Sequence, residues 1–280
     1  MRLNSVVMFG LAAAVMSGCG GNDVTGIGQP PLAGVRLING LTEGSAVDIR
    51  AVDQIQWSPV ANNLAYRNTT VYFPTEAKAR HIRVFPTSTD ASVTSVPLLD
   101  VTMTFQPDTR VTLLLTGSTA AGNVRLVVID DDITAPPSGQ IAVRAVNTSN
   151  GAIDAYIVPR TTTAISGTPT FANVGAQATS AYANLAAIPT NSAGAATDTV
   201  AVRVTPAGSA TVTASAQGPA APAPPSGSPS LPAAGVNSAG TKFSLFFFPA
   251  VTAIAASQGR PAVAATAASV IWYVDRNPAD

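Results

Sequence analysis

The sequence predicts an all-β protein, two tandem β-sandwiches behind a short leader and tether. Three observations predict it. From Val35 onward the chain is a series of short β-branched runs separated by Gly, Pro, Asn and Ser, and no window of helical period is long enough to compete. Several runs alternate: Val47 and Ile49 oppose Asp48 and Arg50, and Val101, Met103 and Phe105 oppose Thr102 and Thr104, the period of two of a strand with one wet face. Finally, "VRLINGLTEGSAVDI" from Val35 is paraphrased as "VRAVNTSNGAIDAYI" from Val143.

The leader, 1–18, holds Arg2, an apolar run from Val6 to Met16, then small residues up to Cys19. The run is shorter than the roughly 20 residues a spanning helix needs, so it reads as a secretion signal. Cys19 is the only cysteine. A lone thiol forms no internal disulfide, so an exported fold must be held by packing alone. Residues 19–33 are rich in Gly and Pro and lack apolar periodicity, as a flexible tether does.

Domain one, 34–138, contains seven runs: Val35 to Asn39, Ala46 to Arg50, Thr70 to Phe73, Arg80 to Phe85, Leu98 to Phe105, Arg110 to Thr116 and Val124 to Asp130. Turn chemistry separates them, as in "QPDT" at 106–109. Domain two, 139–280, replays the order. "HIRVFPTS" at 81–88 answers to "VAVRVTPAGS" at 200–209, "DTRVTLLL" at 108–115 to "GTKFSLFF" at 240–247, and "LVVID" at 126–130 to "IWYVD" at 271–275. Four matches in one order indicate duplication of a unit of about a hundred residues, the size of one sandwich. A Pro- and Ala-rich loop at about 216–235 interrupts domain two, and the short joint "DDDITAPPSGQ" at 130–140 places the two sandwiches end to end.

The chain is 46% hydrophobic and 11% charged, with 15 basic and 15 acidic residues. That balance gives no field to steer it onto nucleic acid, and lysine stands only at 78 and 242, so no phosphate-tracking groove is expected. His81 is the only histidine and lies mid-strand, so a Ser-His-Asp triad has nowhere else to form, and it reads as a surface strand residue. No H-E-x-x-H, G-x-S-x-G or P-loop motif occurs, and neither catalysis nor a cofactor is expected.

Asp130, Asp131 and Asp132 form the one acidic cluster. As hard oxygen ligands at a domain joint they are weak calcium candidates; the competing reading is three acids leaving a strand end for solvent. Asp48 and Asp154 recur after equivalent loops and read as turn caps or partners of Arg36 and Arg144, while Asn39 and Asn147 end the opening strands and satisfy loop backbone. "KFSLFFFPAV" at 242–251 carries aromatics that cannot all face one core, leaving some to pack on domain one or a partner.

"MSGC" at 16–19 resembles the bacterial lipobox, which implies cleavage before Cys19 and its lipidation. Gly20 and Gly21 follow without an Asp, which implies outer-membrane or surface anchoring. From about 33 to 280, the R-x-x-N opening, the A-V-D strand, "RVTPAG" at 203–208 and the second copy resemble domain-of-unknown-function family four-three-nine-seven. That resemblance implies tandem immunoglobulin-like antiparallel β-sandwiches on exported, lipid-anchored envelope proteins, with no established activity. The expectation is a non-enzymatic structural or interaction protein in the bacterial envelope, facing the periplasm or the cell surface, with the membrane and an envelope protein or glycan as partners. The alternative is a ligand-binding lipoprotein that recognises a glycan or small molecule through its sandwich loops.

Overall fold

The fold is that of a computed structural model, which describes residues 30–53, 61–162, 164–188, 199–222 and 232–280. The leader, Cys19 and the centre of the Pro-rich loop lie outside the described residues.

The β-branched runs become strands. Copy one comprises β1 (Leu32–Asn39), β2 (Val47–Ala51), β3 (Ala61–Leu64), β4 (Phe73–Glu76), β5 (Ala79–Pro86), β6 (Leu99–Thr104), β7 (Arg110–Thr116) and β8 (Arg125–Asp130). Copy two comprises β9 (Gln140–Asn147), β10 (Ile153–Pro159), β11 (Phe171–Val174), β12 (Ala183–Ala186), β13 (Val200–Pro206), β14 (Ala214–Gln217), β15 (Lys242–Phe248) and β16 (Ser269–Arg276). One helical turn, α1 (Ala91–Thr94), follows β5, its first turn capped by the Asp90 carboxylate, which accepts from the Ser92 amide at 2.9 Å.

The sequence reading missed β3. Its "ANNL" has no β-branched residue, and Asn63 takes φ +49 in a bulge between the Val47–Leu64 and Ile49–Ala61 pairs. Copy two repeats the bulge with Asn173 at φ +50. The run expected at 70–73 starts later, at Phe73, and Ala216 and Gln217 belong to β14 rather than to the Pro-rich loop.

Each copy is a sandwich of two four-stranded sheets, ordered β4-β1-β7-β8 over β3-β2-β5-β6 and β12-β9-β15-β16 over β11-β10-β13-β14. The duplication therefore holds strand for strand. The expectation of antiparallel sheets needs one correction. The opening strand of each copy inserts beside the seventh in parallel, Val35 against Val111 and Val143 against Phe243. These strands are buried on both faces, the setting in which parallel pairs occur.

Alternation then assigns side chains to three cores. Val35 and Leu37 turn inward with Val47, Ile49, Val84 and Leu113 to fill copy one. Val143, Ala145, Ile153, Val202, Phe243 and Leu245 do the same in copy two. The opposite faces of β1, β7, β9 and β15 are not wet: Ile38 and Leu114 meet Val146, Phe246, Phe248 and Tyr273 in a third core. The two sandwiches are thus stacked through one sheet of each, and the end-to-end expectation is wrong. The aromatic run explains why. Phe247 serves its own sandwich while Phe246 and Phe248, both fully buried, serve the shared core, each contributing about 1.5–3 kcal/mol by burial.

The β15–β16 connection, 249–268, is a narrow ribbon bridged at Val251–Thr266, Ile254–Val263 and Ser257–Arg260. It reaches over copy one. The Thr89 amide donates to the Gly259 carbonyl at 3.0 Å, the Ser88 hydroxyl to the Gln258 carbonyl at 2.7 Å, and the Tyr66 hydroxyl to the Pro249 carbonyl at 2.9 Å.

Candidate functional site

The shared face carries the most concentrated polar chemistry among the described residues. On β1, Arg36 falls between Val35 and Leu37 and so projects away from the copy-one core, into the interface. Its Nη2 donates to Asp275 Oδ1 at 2.7 Å, its Nη1 to the Val274 carbonyl at 2.9 Å, and its Nε to Thr112 Oγ1 at 3.0 Å. On β9, Arg144 makes the reciprocal set. Its Nη2 donates to Asp131 Oδ1, its Nη1 to the Asp130 carbonyl at 2.7 Å, and its Nε to Ser244 Oγ at 2.7 Å. Each arginine crosses to the other copy's aspartate.

The carboxylates are satisfied from their own copies too. Asp131 Oδ2 accepts from the Thr112 and Tyr72 hydroxyls, both at 2.6 Å; Asp275 Oδ2 accepts from Ser244 at 2.6 Å and Tyr182 at 2.8 Å. Arg36 stacks over Tyr72 and Arg144 over Tyr182, each 4.7 Å from the ring centroid. All four charged side chains are buried.

Burial disfavours the Arg36 cation, but the adjoining carboxylates, Asp275 first, outweigh it and raise its pKa. Burial, reinforced by the nearby Asp275 charge, pushes the Asp131 carboxyl upward against the pull of Arg36 and Arg144. Burial raises the Tyr72 and Tyr182 phenols far above their ordinary range, so both remain protonated donors. Two cations and two anions close on each other. The arrangement fixes the register of two sheets, since a sliding interface would strand buried charges.

A cleft of about 400 Å³ opens beside this network, lined in part by Arg36, Tyr72, Arg110, Asp275 and Asp280. Both of its arginines already hold carboxylates at 2.7 Å, Arg36 on Asp275 and Arg110 on Asp280.

The sequence candidates are dispersed. Asp131 is buried on Arg144, Asp132 binds Lys242 Nζ at 2.7 Å, and the Asp130 residue is exposed. The calcium candidates therefore do not converge: an arginine and a lysine occupy the places a cation would take. Among the described residues no group of three or more His, Cys, Asp or Glu is placed to hold a metal ion. Asp48 and Asp154 cap turns, accepting from the Asn63 amide at 2.7 Å and the Asn173 amide at 2.6 Å. Of the two expectations for these acids the turn cap is the one found; the alternative pairing with Arg36 and Arg144 is not, because those arginines point into the interface. Asn39 and Asn147 hold loop carbonyls, Ser45 at 2.8 Å and Gly151 at 2.7 Å. His81 lies at the surface against Asp100.

Sequence reasoning missed the crossed pairs partly by one residue. Matching "LVVID" to "IWYVD" set Asp130 against Asp275. In the sheets Val111 faces Asp130 and Phe243 faces Val274, so Asp131 is the counterpart of Asp275. A slip of one moves a side chain to the other face of a strand. The usable signal was repetition itself: Arg36 and Arg144, Tyr72 and Tyr182, Thr112 and Ser244 recur as polar residues at equivalent places.

Residues 33–156 match the family model described as "Domain of unknown function (DUF4397)". That stretch, less than half of the chain, is similar to the DUF4397 domain. The DUF4397 match runs through copy one and ends within β10 of copy two, so it holds Arg36, Tyr72, Thr112, Asp131 and Arg144, while Asp275 lies beyond it. No curated protein matches the chain.

Proposed function

We propose that this is a non-enzymatic, lipid-anchored protein of the bacterial envelope, carried on the outer membrane as a structural or interaction module. The observation that carries the reading is the crossed pairing of Arg36 with Asp275 and Arg144 with Asp131. It joins two sandwiches into one stiff body, a design suited to projecting a surface. The leader and the solitary Cys19 support the anchor, with the Gly- and Pro-rich stretch 19–33 as the spacer between membrane and fold. Cys19→Ala should move the protein from the membrane fraction to the soluble fraction of the producing cell. Unchanged membrane retention would overturn the anchor.

A further inference from the structure

The two copies differ at one edge of the sandwich, where β6 stands across from β8 and β14 across from β16. In copy two β14 packs against β16; Phe243 belongs to the core there, and Trp272 and Val274 pack on it, the Phe243 and Trp272 rings meeting edge to face at 5.4 Å. The strand registers place Val111, Val128 and Asp130 at the same positions of copy one: Leu113 faces Val128 as Leu245 faces Trp272, and Val111 faces Asp130 as Phe243 faces Val274. Two aromatic rings are replaced by valines. The third residue, Asp130, puts a carboxylate where copy two has an apolar side chain.

The result is a half-open cleft of about 260 Å³ in copy one, lined in part by Val101, Met103, Phe105, Val111, Val128 and Asp130. Leu126 packs on the copy-one core while Val127 and Ile129 face the other copy, so Val128 and Asp130 share the core side of β8 with Leu126. Val128 is nevertheless 47% exposed, a large apolar side chain left uncovered at the cleft. Asp131 holds Arg144 and Asp132 holds Lys242, but the Asp130 carboxylate has no cation partner among the described residues. A mainly apolar cleft with one polar group to orient a ligand has the make-up of a small-molecule site.

We propose that this cleft binds a small aromatic amine, of the class of an arylalkylammonium ion. Copy two shows which shape the space accepts, because the indole of Trp272 fills it there. In copy one a free ring takes that place, against Met103 and Phe105, whose sulfur and ring make favourable contacts with an aromatic edge or face. Asp130 receives the ammonium, which, like that of lysine, is charged at neutral pH. The site belongs to copy one alone and is independent of the lipid anchor.

The test uses tryptamine, indole and indolepropionate as probes in calorimetric titrations of the chain from residue 20 onward. Tryptamine should bind at one site and more tightly than indole, and indolepropionate should bind weakest. Val128→Trp, which installs the copy-two residue, should weaken tryptamine about tenfold or more while keeping the unfolding temperature. Because Asp130 is exposed, Asp130→Asn should weaken tryptamine only several-fold, and it should leave indole unchanged. Should Val128→Trp fail to fold, Val111→Phe, which installs the other copy-two ring, carries the test. Failure of tryptamine to bind, or its undiminished affinity for the filled variant, would overturn the proposal. Tryptamine affinity unchanged by Asp130→Asn, or an equal loss of tryptamine and indole, would overturn the head-group assignment.

Discussion

Arg36 and Asp275 stand 239 positions apart, in different copies of one duplicated domain, and form a buried ion pair at 2.7 Å. Arg144 and Asp131 return it in the opposite direction. Desolvating such pairs costs nearly as much as their attraction yields, so the network does more to specify the docking register than to add net stability. The apolar third core around Phe246 supplies the adhesion.

Breaking one pair from one side should be expensive. Arg36→Met leaves Asp275 buried without its guanidinium, and a loss of about 3–5 kcal/mol is expected in chemical denaturation. Arg36→Met/Asp275→Leu should recover most of it, since no charge is then stranded. A single variant as stable as the parent would show the pair to be incidental.

Acid should remove a smaller contribution, from Asp132. Burial opposes its ionisation, but Lys242 and the Thr134 amide outweigh that and hold the carboxyl down at about 2. A carboxyl depressed in the folded state stabilises it above the ordinary carboxylate range and loses that contribution as pH falls toward the folded value. The difference in melting temperature between the parent and Asp132→Asn should therefore be full at pH 6, shrink as pH falls through the ordinary carboxylate range, and vanish only below about pH 2. A difference independent of pH would assign the effect to packing.

Contact of the ribbon with copy one depends on Gly259, which has φ +68. A Cβ there would lie 2.7 Å from the Asp90 nitrogen and 2.7 Å from Thr89 Oγ1. Gly259→Ala should speed hydrogen exchange of the Thr89 amide about tenfold, the equivalent of about 1.4 kcal/mol, because that amide donates to the Gly259 carbonyl. Exchange of the Leu113 amide in the core should not change.

Local pattern made the all-β class and the duplication legible. Val47 and Ile49 against Asp48 and Arg50, and Pro86 repeated as Pro206, are signals within a few residues. β3 was illegible because its geometry comes from a bulge held by Asn63 rather than from propensity. The run at Phe246–Phe248 announced a second packing face without saying what covered it. The site was hidden for a different reason: Arg36 reads as one more polar residue on a strand until the fold brings Asp275 to it. Likewise the cleft of copy one is visible only as a difference, once the registers set Val128 against Trp272.

The central claim is that two duplicated sandwiches form one cooperative body. Differential scanning calorimetry of the chain from residue 20 onward tests it most directly. A single endotherm whose van't Hoff and calorimetric enthalpies agree is the expected result. Two separable endotherms, one for each sandwich, would contradict it.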